Sequence, residues 1–243
     1  MLKDIENWYT SWFDSPYYHI LYKNRDDKEA GLFMKNLTSF LKLSSSSTIL
    51  DLACGKGRHS KYLNQLGYQV TGVDLSPQSI AYAKKFENEN LFFDEHDMSK
   101  PYPKQFDAVF NLFTSFGYFE DEEDNLKTIK SIKSELNPKG FGVIDFLNSD
   151  YVQKHLVPSE IKIVDGVNFF IQRELKDGYI LKNINFKHNK QEFNFTEKVK
   201  AISLLDFKDY FIEAGVNLIH CFGDYQLNEY NQETSSRLIL IFN

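Results

Sequence analysis

The residues ILDLACGKGRHS, Ile49 to Ser60, are the most informative part of this 243-residue chain for its fold. It starts as an apolar run typical of a buried strand, passes an acid at Asp51 and continues through two glycines into a helix-like segment. Gly55 and Gly57 indicate that the backbone comes close to a ligand, because glycine has no side chain to fill that space. Loops of this kind bind several nucleotide-like ligands, which the residues around the glycines distinguish.

The residues of this glycine loop exclude one ligand class and disfavour another. A P-loop has four residues between its glycines and then Lys-Ser/Thr, whereas one residue separates Gly55 from Gly57 here and Arg58 follows. A dinucleotide fingerprint has glycine or alanine where Ser60 stands, and a carboxylate at Asp51 would repel the pyrophosphate. An acid at that place favours a ligand with a positive group nearby, such as a sulfonium nucleoside.

Composition narrows the class of protein and of partner. A length of 243 residues suits one large domain or one domain with a small annex. The net charge of −6 and the lack of a long basic cluster disfavour nucleic acid as the main partner. The two cysteines lie far apart and the six histidines are more than 30 residues from one another, so no metal-ligand spacing is present. With no signal-peptide pattern and no apolar run of membrane-spanning length, we expect a soluble, cytoplasmic protein that does not bind a membrane.

Residues 47–147 alternate between strand-like and helix-like segments. This alternation predicts an α/β fold, a Rossmann-like doubly wound sheet with parallel strands and right-handed crossovers. An amphipathic helix is predicted over residues 27–42, and an aromatic-rich arm precedes it. The predicted strands are residues 47–53, 68–75, 91–97, 106–113 and 140–147, and the predicted helices between them are residues 57–67, 76–90 and 123–140.

From about residue 160 the pattern changes to period-two segments. Three turn signals separate them, at Asp165-Gly166, Asp177-Gly178 and His188-Asn189, which predicts a four-strand antiparallel annex. A helix at 203–215 and strands at 216–222 and 237–242 follow. The annex is therefore expected between strands five and six of the main sheet, where it would cover the ligand crevice.

The predicted organisation has four segments. Residues 1–45 form an arm and helix that cover the site, and residues 46–150 form the nucleotide-binding core. Residues 151–202 form the antiparallel annex, a lid for the substrate, and residues 203–243 complete the core sheet.

Two further acids end predicted strands. Asp74 ends the second strand, 17 positions after Gly57, where a carboxylate accepts hydrogen bonds from ribose hydroxyls. Asp97 ends the third strand, where an acid can accept from an exocyclic amine. Together with Asp51, these acids outline a ligand that has an amino-acid head, a ribose and an adenine.

The motifs that carry these acids resemble a known family. LDLACGKGRHS, VTGVDLSPQSI, HDM, FDAVFNLFTSFGYF and LNPKGFGVIDF resemble, in order and spacing, the motifs of class I S-adenosylmethionine-dependent methyltransferases over residues 47–147. The resemblance implies S-adenosyl-L-methionine as cofactor and a seven-stranded, mostly parallel sheet whose last strand is antiparallel. The annex and the aromatic arm are similar to those of the small-molecule branch, which includes amino-sugar and glycine-type N-methyltransferases.

The resemblance implies roles for the residues at the strand ends. Asp51 is expected near the methionyl amino group, Asp74 at the ribose hydroxyls and Asp97 at the adenine amine. The residues that follow Asp74 and Asp97 would pack on the adenine, and the end of the fourth strand would lie near the transferred methyl group. The implied cofactor-binding residues are Asp51, Ala53, Gly55, Gly57, Asp74, Leu75, Asp97, Met98, Asn111 and Leu112.

Methyl transfer from a sulfonium is an in-line displacement, so the protein mainly aligns the partners and excludes water. Aromatic faces favour a sulfonium cation, which makes aromatic residues of the arm and of the segment after the fourth strand candidates. Packing in the core or in the lid is the alternative for each of them. The candidate substrate residues are Tyr17, Tyr18, Tyr22, Phe113, Ser115, Phe116 and Arg173. Arg173 could meet an anionic substrate or form an ion pair with Glu174 or Glu192. Arg25 could meet the cofactor carboxylate or form a surface ion pair.

A catalytic base would assist a neutral amine or hydroxyl acceptor. His19, Tyr118 and His155 are the candidates, and the sequence does not choose among them. The sequence predicts a methyltransferase that moves a methyl group from S-adenosylmethionine to nitrogen or oxygen of a small molecule. A nicotinamide-dependent oxidoreductase is one alternative, against which Asp51 and Ser60 argue, and a non-catalytic cofactor-binding or scaffold protein is another.

Overall fold

The computed structural model describes residues 8–23, 27–119 and 121–243. The chain divides into two units. The smaller unit comprises Met1–Arg25 and Val152–Ala201, and the larger unit comprises Asp26–Tyr151 and Ile202–Asn243.

The described helices and strands follow one another in this order along the chain. The elements are α1 (Trp8–Phe13), α2 (Pro16–Leu21), α3 (Asp27–Phe40), β1 (Thr48–Leu52), α4 (Arg58–Gln65), β2 (Gln69–Asp74), α5 (Pro77–Ala83), a 3₁₀ turn (Lys84–Phe86), β3 (Leu91–Glu95), β4 (Phe106–Asn111), α6 (Glu122–Glu135), β5 (Leu136–Leu147), α7 (Ser149–His155), β6 (Ser159–Val164), β7 (Val167–Lys176), β8 (Tyr179–His188), β9 (Gln191–Lys200), α8 (Leu204–Ala214), β10 (Leu218–Phe222) and β11 (Arg237–Phe242).

The larger unit contains a seven-stranded sheet in the order β10-β11-β5-β4-β1-β2-β3. Strands β1 to β5 pair in parallel, and β11 is antiparallel to both of its neighbours, β5 and β10. This confirms the predicted doubly wound sheet with an antiparallel last strand. Because the chain leaves β1 toward β2 on one side and enters β4 on the other, the strand order reverses beside β1, where α/β sheets bind ligands.

The central strands are buried because helices cover both faces of a parallel sheet. Ile49, Leu50 and Leu52 of β1 are fully buried, and so are Val109 and Phe110 of β4. Each such side chain stabilises the fold by roughly 1.5–3 kcal/mol relative to an exposed position. The ends of β1 and β4 are therefore held on a rigid frame.

Two helix boundaries bear on the predictions. Ser76 Oγ accepts from the Ser79 N–H and Pro77 begins α5, as their positions predicted. Helix α6 ends at Glu135 and β5 begins at Leu136, earlier than the predicted helix end at residue 140. The reason is local, because Pro138 cannot donate to a helix and biases the residue before it toward an extended conformation.

The smaller unit contains a four-stranded antiparallel sheet in the order β6-β7-β8-β9. The annex lies in the chain between the fifth and sixth strands of the main sheet, as predicted. Two of the predicted turns are confirmed, and the third is one residue later, because His188 still pairs with Gln191 at the end of β8. The turn residues, all with φ between 48° and 79°, are Asp165-Gly166, Asp177-Gly178 and Asn189-Lys190.

Of the helices in the described part of the chain, none is both long and apolar enough to cross a membrane.

Candidate functional site

Asp51 is a buried carboxylate in the centre of the sheet. It is only 2% exposed, and Ser60 in the first turn of α4 donates a hydrogen bond to its Oδ2 at 2.5 Å. Burial raises the pKa of Asp51 to about 7; the bond from Ser60 opposes this rise and the charge of Asp74 adds to it. A cation placed near Asp51 would stabilise its charged form, which is what the amino group of an amino-acid head supplies.

Asp74 ties the glycine loop to the end of β2. Its Oδ2 accepts from the Gly55 N–H at 2.8 Å, and its Oδ1 accepts from the Ser76 N–H at 2.8 Å. Asp74 thus has a structural role in the loop, and its contact with ribose hydroxyls stays a prediction.

The two glycines of the loop have different surroundings. Gly55 has a φ of 55°, and a Cβ added there would meet no atom within 4 Å among the described residues. Gly57, with a φ of 75°, would place a Cβ 2.5 Å from the ring of Phe93 in β3. The close approach at Gly57 is therefore to a core ring, which the sequence prediction missed, whereas Gly55 borders open space. Ala53 precedes them with a left-handed φ of 60°, a conformation that costs about 1–3 kcal/mol.

Asn111 supplies the polar atom at the end of β4. It is fully buried, and its Nδ2 donates weakly to Leu52 O at 3.4 Å. Its Oδ1 accepts no hydrogen bond from any residue that the structure describes. Leaving a buried acceptor unpaired costs about 1–3 kcal/mol, and a ligand donor would remove that cost. The orphaned oxygen, the acids and the open space at Gly55 fit a ligand that carries an ammonium group and hydroxyls.

Asp97 lies two residues beyond the end of β3, and its carboxylate already has partners. Ser99 donates to Oδ1 from its N–H at 3.0 Å and from Oγ at 2.7 Å, while Lys100 pairs with Oδ2 at 3.1 Å. Partial burial raises the pKa of Asp97, but the hydrogen bonds from Ser99 and Lys100 outweigh it and lower the pKa overall. An adenine amine would share this carboxylate with them.

The two apolar residues assigned to the adenine differ in exposure. Leu75 is 48% exposed directly after Asp74, whereas Met98 is half-buried and its sulfur lies 3.5 Å from Asn111 Nδ2. Leu112, which follows Asn111, is buried at 4% exposure. Leu75 is therefore the apolar surface that a planar ring could cover.

The strand register gathers the assigned cofactor residues at one edge of the sheet. Leu52 in β1 pairs with Val73 of β2 on one side and with Asn111 of β4 on the other. The carboxyl ends of these three strands are therefore adjacent, and all ten assigned residues lie in the larger unit. The contact of each of these residues with a cofactor stays a prediction.

The segment after β4 is strained. Phe113 and Thr114 are consecutive residues with left-handed φ angles of 58° and 60°, each costing about 1–3 kcal/mol. The ring of Phe113 stacks on the ring of His59 with 4.3 Å between centroids and 2° between planes. Such strain is typical of functional sites. It lies at the end of β4, near which the transferred methyl group is predicted to lie.

The other candidates after β4 make contacts within the protein. Phe116 is fully buried and packs on Phe207 with 5.4 Å between centroids, so it belongs to the core. Ser115 Oγ donates to Leu112 O at 3.0 Å. Tyr118, one of the three candidate bases, donates its hydroxyl to Thr114 O at 2.5 Å.

The tyrosine candidates of the arm lie in the smaller unit. Tyr17 packs on Phe186 and on Phe193, each with 4.6 Å between centroids, and its hydroxyl is 3.0 Å from His188 Nδ1. Tyr18 packs edge-on against Trp12 at 5.6 Å. These contacts are aromatic packing, which was the alternative to substrate contact for both residues.

The other two substrate candidates of the smaller unit, Tyr22 and Arg173, contact charged side chains. The Tyr22 hydroxyl donates to Glu197 Oε1 at 2.6 Å and accepts from Lys182. Arg173 pairs with Glu160, so the expected alternatives Glu174 and Glu192 were wrong. The partner differs because Glu160 is on β6, a cross-strand neighbour of β7, a pairing that the sequence pattern did not specify.

The candidate bases His19 and His155 belong to the smaller unit. His19 is in the last turn of α2, partly buried beside Tyr18, and His155 is exposed at the end of α7. Arg25 lies outside the described residues. Within residues 8–23, 27–119 and 121–243, no group of three or more His, Cys, Asp or Glu is placed to hold a metal ion.

Comparison with known proteins agrees with this geometry. Residues 49–140 run from the buried start of β1 into β5. These residues match the family described as "Methyltransferase domain". This match confirms the resemblance to methyltransferases inferred from the motifs.

The chain is also similar to individual curated relatives and to solved structures. The chain is 35% identical over 111 residues to the putative methyltransferase YqeM of Bacillus subtilis (44% of this chain, 45% of the relative). It is 30% identical over 140 residues to the glycine/sarcosine N-methyltransferase of Halorhodospira halochloris (54% of this chain, 50% of the relative). The chain thus matches about half the length of these curated relatives. A crystal structure of an S-adenosylmethionine-dependent methyltransferase from Clostridium acetobutylicum has the same fold, with a TM-score of 0.79, 20% identity and coverage of 93% of this chain and 95% of that one.

Proposed function

We propose that the protein transfers a methyl group from S-adenosylmethionine to an amine of a small molecule. The observation that carries this proposal is the site at the carboxyl ends of β1, β2 and β4, where buried Asp51 lies on the same sheet edge as the orphaned oxygen of Asn111. Both groups suit the ammonium of an amino-acid head, which a dinucleotide lacks.

The residues of the site divide the binding of S-adenosylmethionine among them. The cofactor supplies a methyl group activated by its sulfonium, so the chain has to bind, orient and exclude water. Asn111 Oδ1 would accept from the methionyl ammonium, Asp51 would favour its positive charge, and Asp74 would accept from the ribose hydroxyls. Leu75 would cover one face of the adenine, with Asp97 at its amine.

An amine acceptor is favoured by the relatives. One relative is a glycine/sarcosine N-methyltransferase, and one solved structure with the same fold is a sugar N-methyltransferase. An amine attacks in its neutral form, so a base that removes its proton would assist; His19, Tyr118 and His155 remain the candidates. We propose that residues 1–45 and 151–202 provide acceptor recognition, with Tyr22 and Arg173 as its polar side chains.

A methyl-transfer assay with tritium in the methyl group tests this proposal. The protein is incubated with labelled S-adenosylmethionine and panels of amino acids, amino sugars, neutral alcohols and carboxylic acids, and products are separated by mass spectrometry. We expect labelled product from a compound in the amine panels. With the same panels, Asp74→Asn is expected to lower the rate of methyl transfer when the cofactor is subsaturating. Saturating cofactor is expected to restore much of that rate.

The outcomes of this assay are distinct. Product only from alcohols would retain methyl transfer and contradict the amine acceptor. Tight binding of S-adenosylmethionine with no product from any panel would favour a non-catalytic cofactor-binding protein.

Arg173→Met tests the acceptor role of the smaller unit. We expect a raised KM for the amine at an unchanged cofactor affinity. An unchanged KM would remove Arg173 from the acceptor site.

A further inference from the structure

Asp145 is a fully buried carboxylate whose counter-ion is an arginine on the neighbouring strand. Asp145 lies in β5 at 0% exposure, and Arg237 is the first residue of β11, which pairs with β5. Arg237 Nε and Nη2 both donate to Asp145 Oδ1, at 2.8 Å and 2.7 Å. A buried carboxylate requires such a partner, so the two residues act as one unit, the Asp145–Arg237 pair.

The Asp145–Arg237 pair also holds the strained segment after β4. Asp145 Oδ2 accepts from the Phe113 N–H at 2.9 Å, and the main-chain oxygen of Asp145 accepts from the Thr114 N–H at 3.0 Å. Arg237 Nη2 donates to Thr114 Oγ1 at 2.9 Å. These contacts fall on the two consecutive residues with left-handed φ angles, so they oppose the return of the segment to an ordinary conformation.

The side chain of Phe113 carries the effect of these contacts to the start of α4. Its ring stacks on His59, 4.3 Å away, and lies 5.3 Å from the ring of Tyr225. The guanidinium carbon of Arg58 is 5.5 Å from the centroid of the Phe113 ring. The ring of Phe113, two positions after Asn111, therefore joins the segment after β4 to the helix that follows the glycine loop.

We propose that Asp145 and Arg237 are positioning residues for methyl transfer. They fix the left-handed Phe113–Thr114 segment, and through it they hold the Phe113 ring against His59 as one wall of the site at the end of β4. This inference rests on the proposed function, because it takes the end of β4 to be where cofactor and acceptor meet. Both residues act through Phe113, so neither is a catalytic residue.

The position of the Phe113 ring can be measured from the imidazole signals of His59. Face-to-face stacking on an aromatic ring moves the proton signals of an imidazole upfield in the NMR spectrum. In the full chain labelled with ¹³C-histidine there are six imidazoles, and His59→Gln identifies the His59 signal. Phe113→Leu then gives the position of that signal without the ring.

Arg237→Lys is the main variant, because lysine keeps the charge that Asp145 requires and loses the fork that also reaches Thr114. We expect the His59 signal to move at least halfway toward its position in Phe113→Leu. Thr114→Gly added to Arg237→Lys is expected to restore the signal, because glycine adopts a left-handed φ without steric cost. Arg173→Lys makes the same change at the arginine paired with Glu160 and is expected to leave the signal in place.

These results separate positioning from a simple stabilising role. If the ion pair only stabilised the sheet, Arg237→Lys would lower the melting temperature without displacing the His59 signal. Thr114→Gly would then not restore the melting temperature. If Arg237→Lys does not fold, Thr114→Val tests the same contact with the pair intact, and the same displacement is expected.

An unmoved His59 signal in folded Arg237→Lys or Thr114→Val would overturn the inference, as would a displacement that Thr114→Gly fails to reverse. The same wild-type sample is titrated with S-adenosylmethionine. Failure of the cofactor to bind would contradict the proposed function, while the His59 signal would still decide whether the pair positions Phe113.

Discussion

Ser60 donates a hydrogen bond of 2.5 Å to the buried carboxylate of Asp51. Ser60 stands where a dinucleotide-binding loop has glycine or alanine, so the residue that departs from that fingerprint is the one that supports the acid. The two residues are nine positions apart, one in β1 and one in α4, and both are buried. The bond thus couples the strand to the helix directly behind the glycine loop.

Ser60→Ala is expected to destabilise the fold more at pH 8 than at pH 5. The bond to a charged carboxylate is worth about 1.5–3 kcal/mol, and the bond to its neutral form about 0.5–1.5 kcal/mol. Because the pKa of Asp51 is about 7, the charged form is present only at the higher pH. Urea unfolding at both pH values measures the difference, and an equal loss at the two would contradict it.

Asp51→Asn is expected to flatten the dependence of stability on pH between about 4 and about 7. The folded state holds a proton on Asp51 up to about pH 7, whereas the unfolded chain loses it near pH 4. In wild type this carboxyl therefore lowers the free energy of unfolding as pH rises through that window, by an amount on the order of a few kcal/mol.

The measurement is the free energy of unfolding from urea titrations at several pH values. Burial also raises the pKa of Glu135 to about 7, so Glu135→Gln is the matched variant and is expected to remove a further part of the slope. A wild-type slope that stays unchanged in Asp51→Asn would show that Asp51 titrates at its ordinary pKa.

Gly57→Ala is expected to cost more stability than Gly55→Ala. Both substitutions place an alanine at a left-handed φ, which costs about 1–2 kcal/mol. Only the Cβ at residue 57 collides with Phe93, at 2.5 Å, which adds about 1–3 kcal/mol of overpacking. Phe93→Leu in the Gly57→Ala chain should recover part of the loss, as measured by thermal unfolding. Equal losses for the two glycines would contradict the collision.

Much of the fold could be predicted from the sequence because its signals are local. The apolar run before the glycine loop, the Ser76-Pro77 helix start and the Asp-Gly turns each depend on a few consecutive residues. These signals were enough for the alternation of strands and helices in the main sheet and for the position of the annex in the chain. The seven-stranded sheet with an antiparallel last strand was implied by the resemblance of the motifs, and the strand order was not predicted. The turn at Asn189-Lys190 was displaced by one residue because its chemistry is weaker than that of Asp-Gly.

The contacts that shape the site could not be predicted, because they join residues far apart in the chain. Asp145 and Arg237 are 92 positions apart, and in the sequence each is a charged residue in or beside an apolar strand. Phe93 reads as an ordinary strand residue, and only the fold brings its ring against Gly57. The left-handed φ of Phe113 and Thr114 has no sequence signal, since neither residue favours it.

Asp74→Ala is expected to lower both cofactor affinity and stability. The carboxylate accepts from the Gly55 and Ser76 N–H groups, so its removal loosens the glycine loop as well as the ribose contact. Asp74→Asn, which keeps one acceptor oxygen, is expected to lose affinity with a smaller fall in melting temperature. Equal affinities of wild type and both variants for S-adenosylmethionine would remove Asp74 from the site.

Calorimetric titration with S-adenosylmethionine, its demethylated product and NAD tests whether the site binds a sulfonium nucleoside. We expect wild type to bind the first two compounds and not NAD. Asp74→Asn is expected to weaken the binding of both by about tenfold or more, the equivalent of one charge-assisted hydrogen bond. Binding of NAD with no response to S-adenosylmethionine or its product would contradict this expectation.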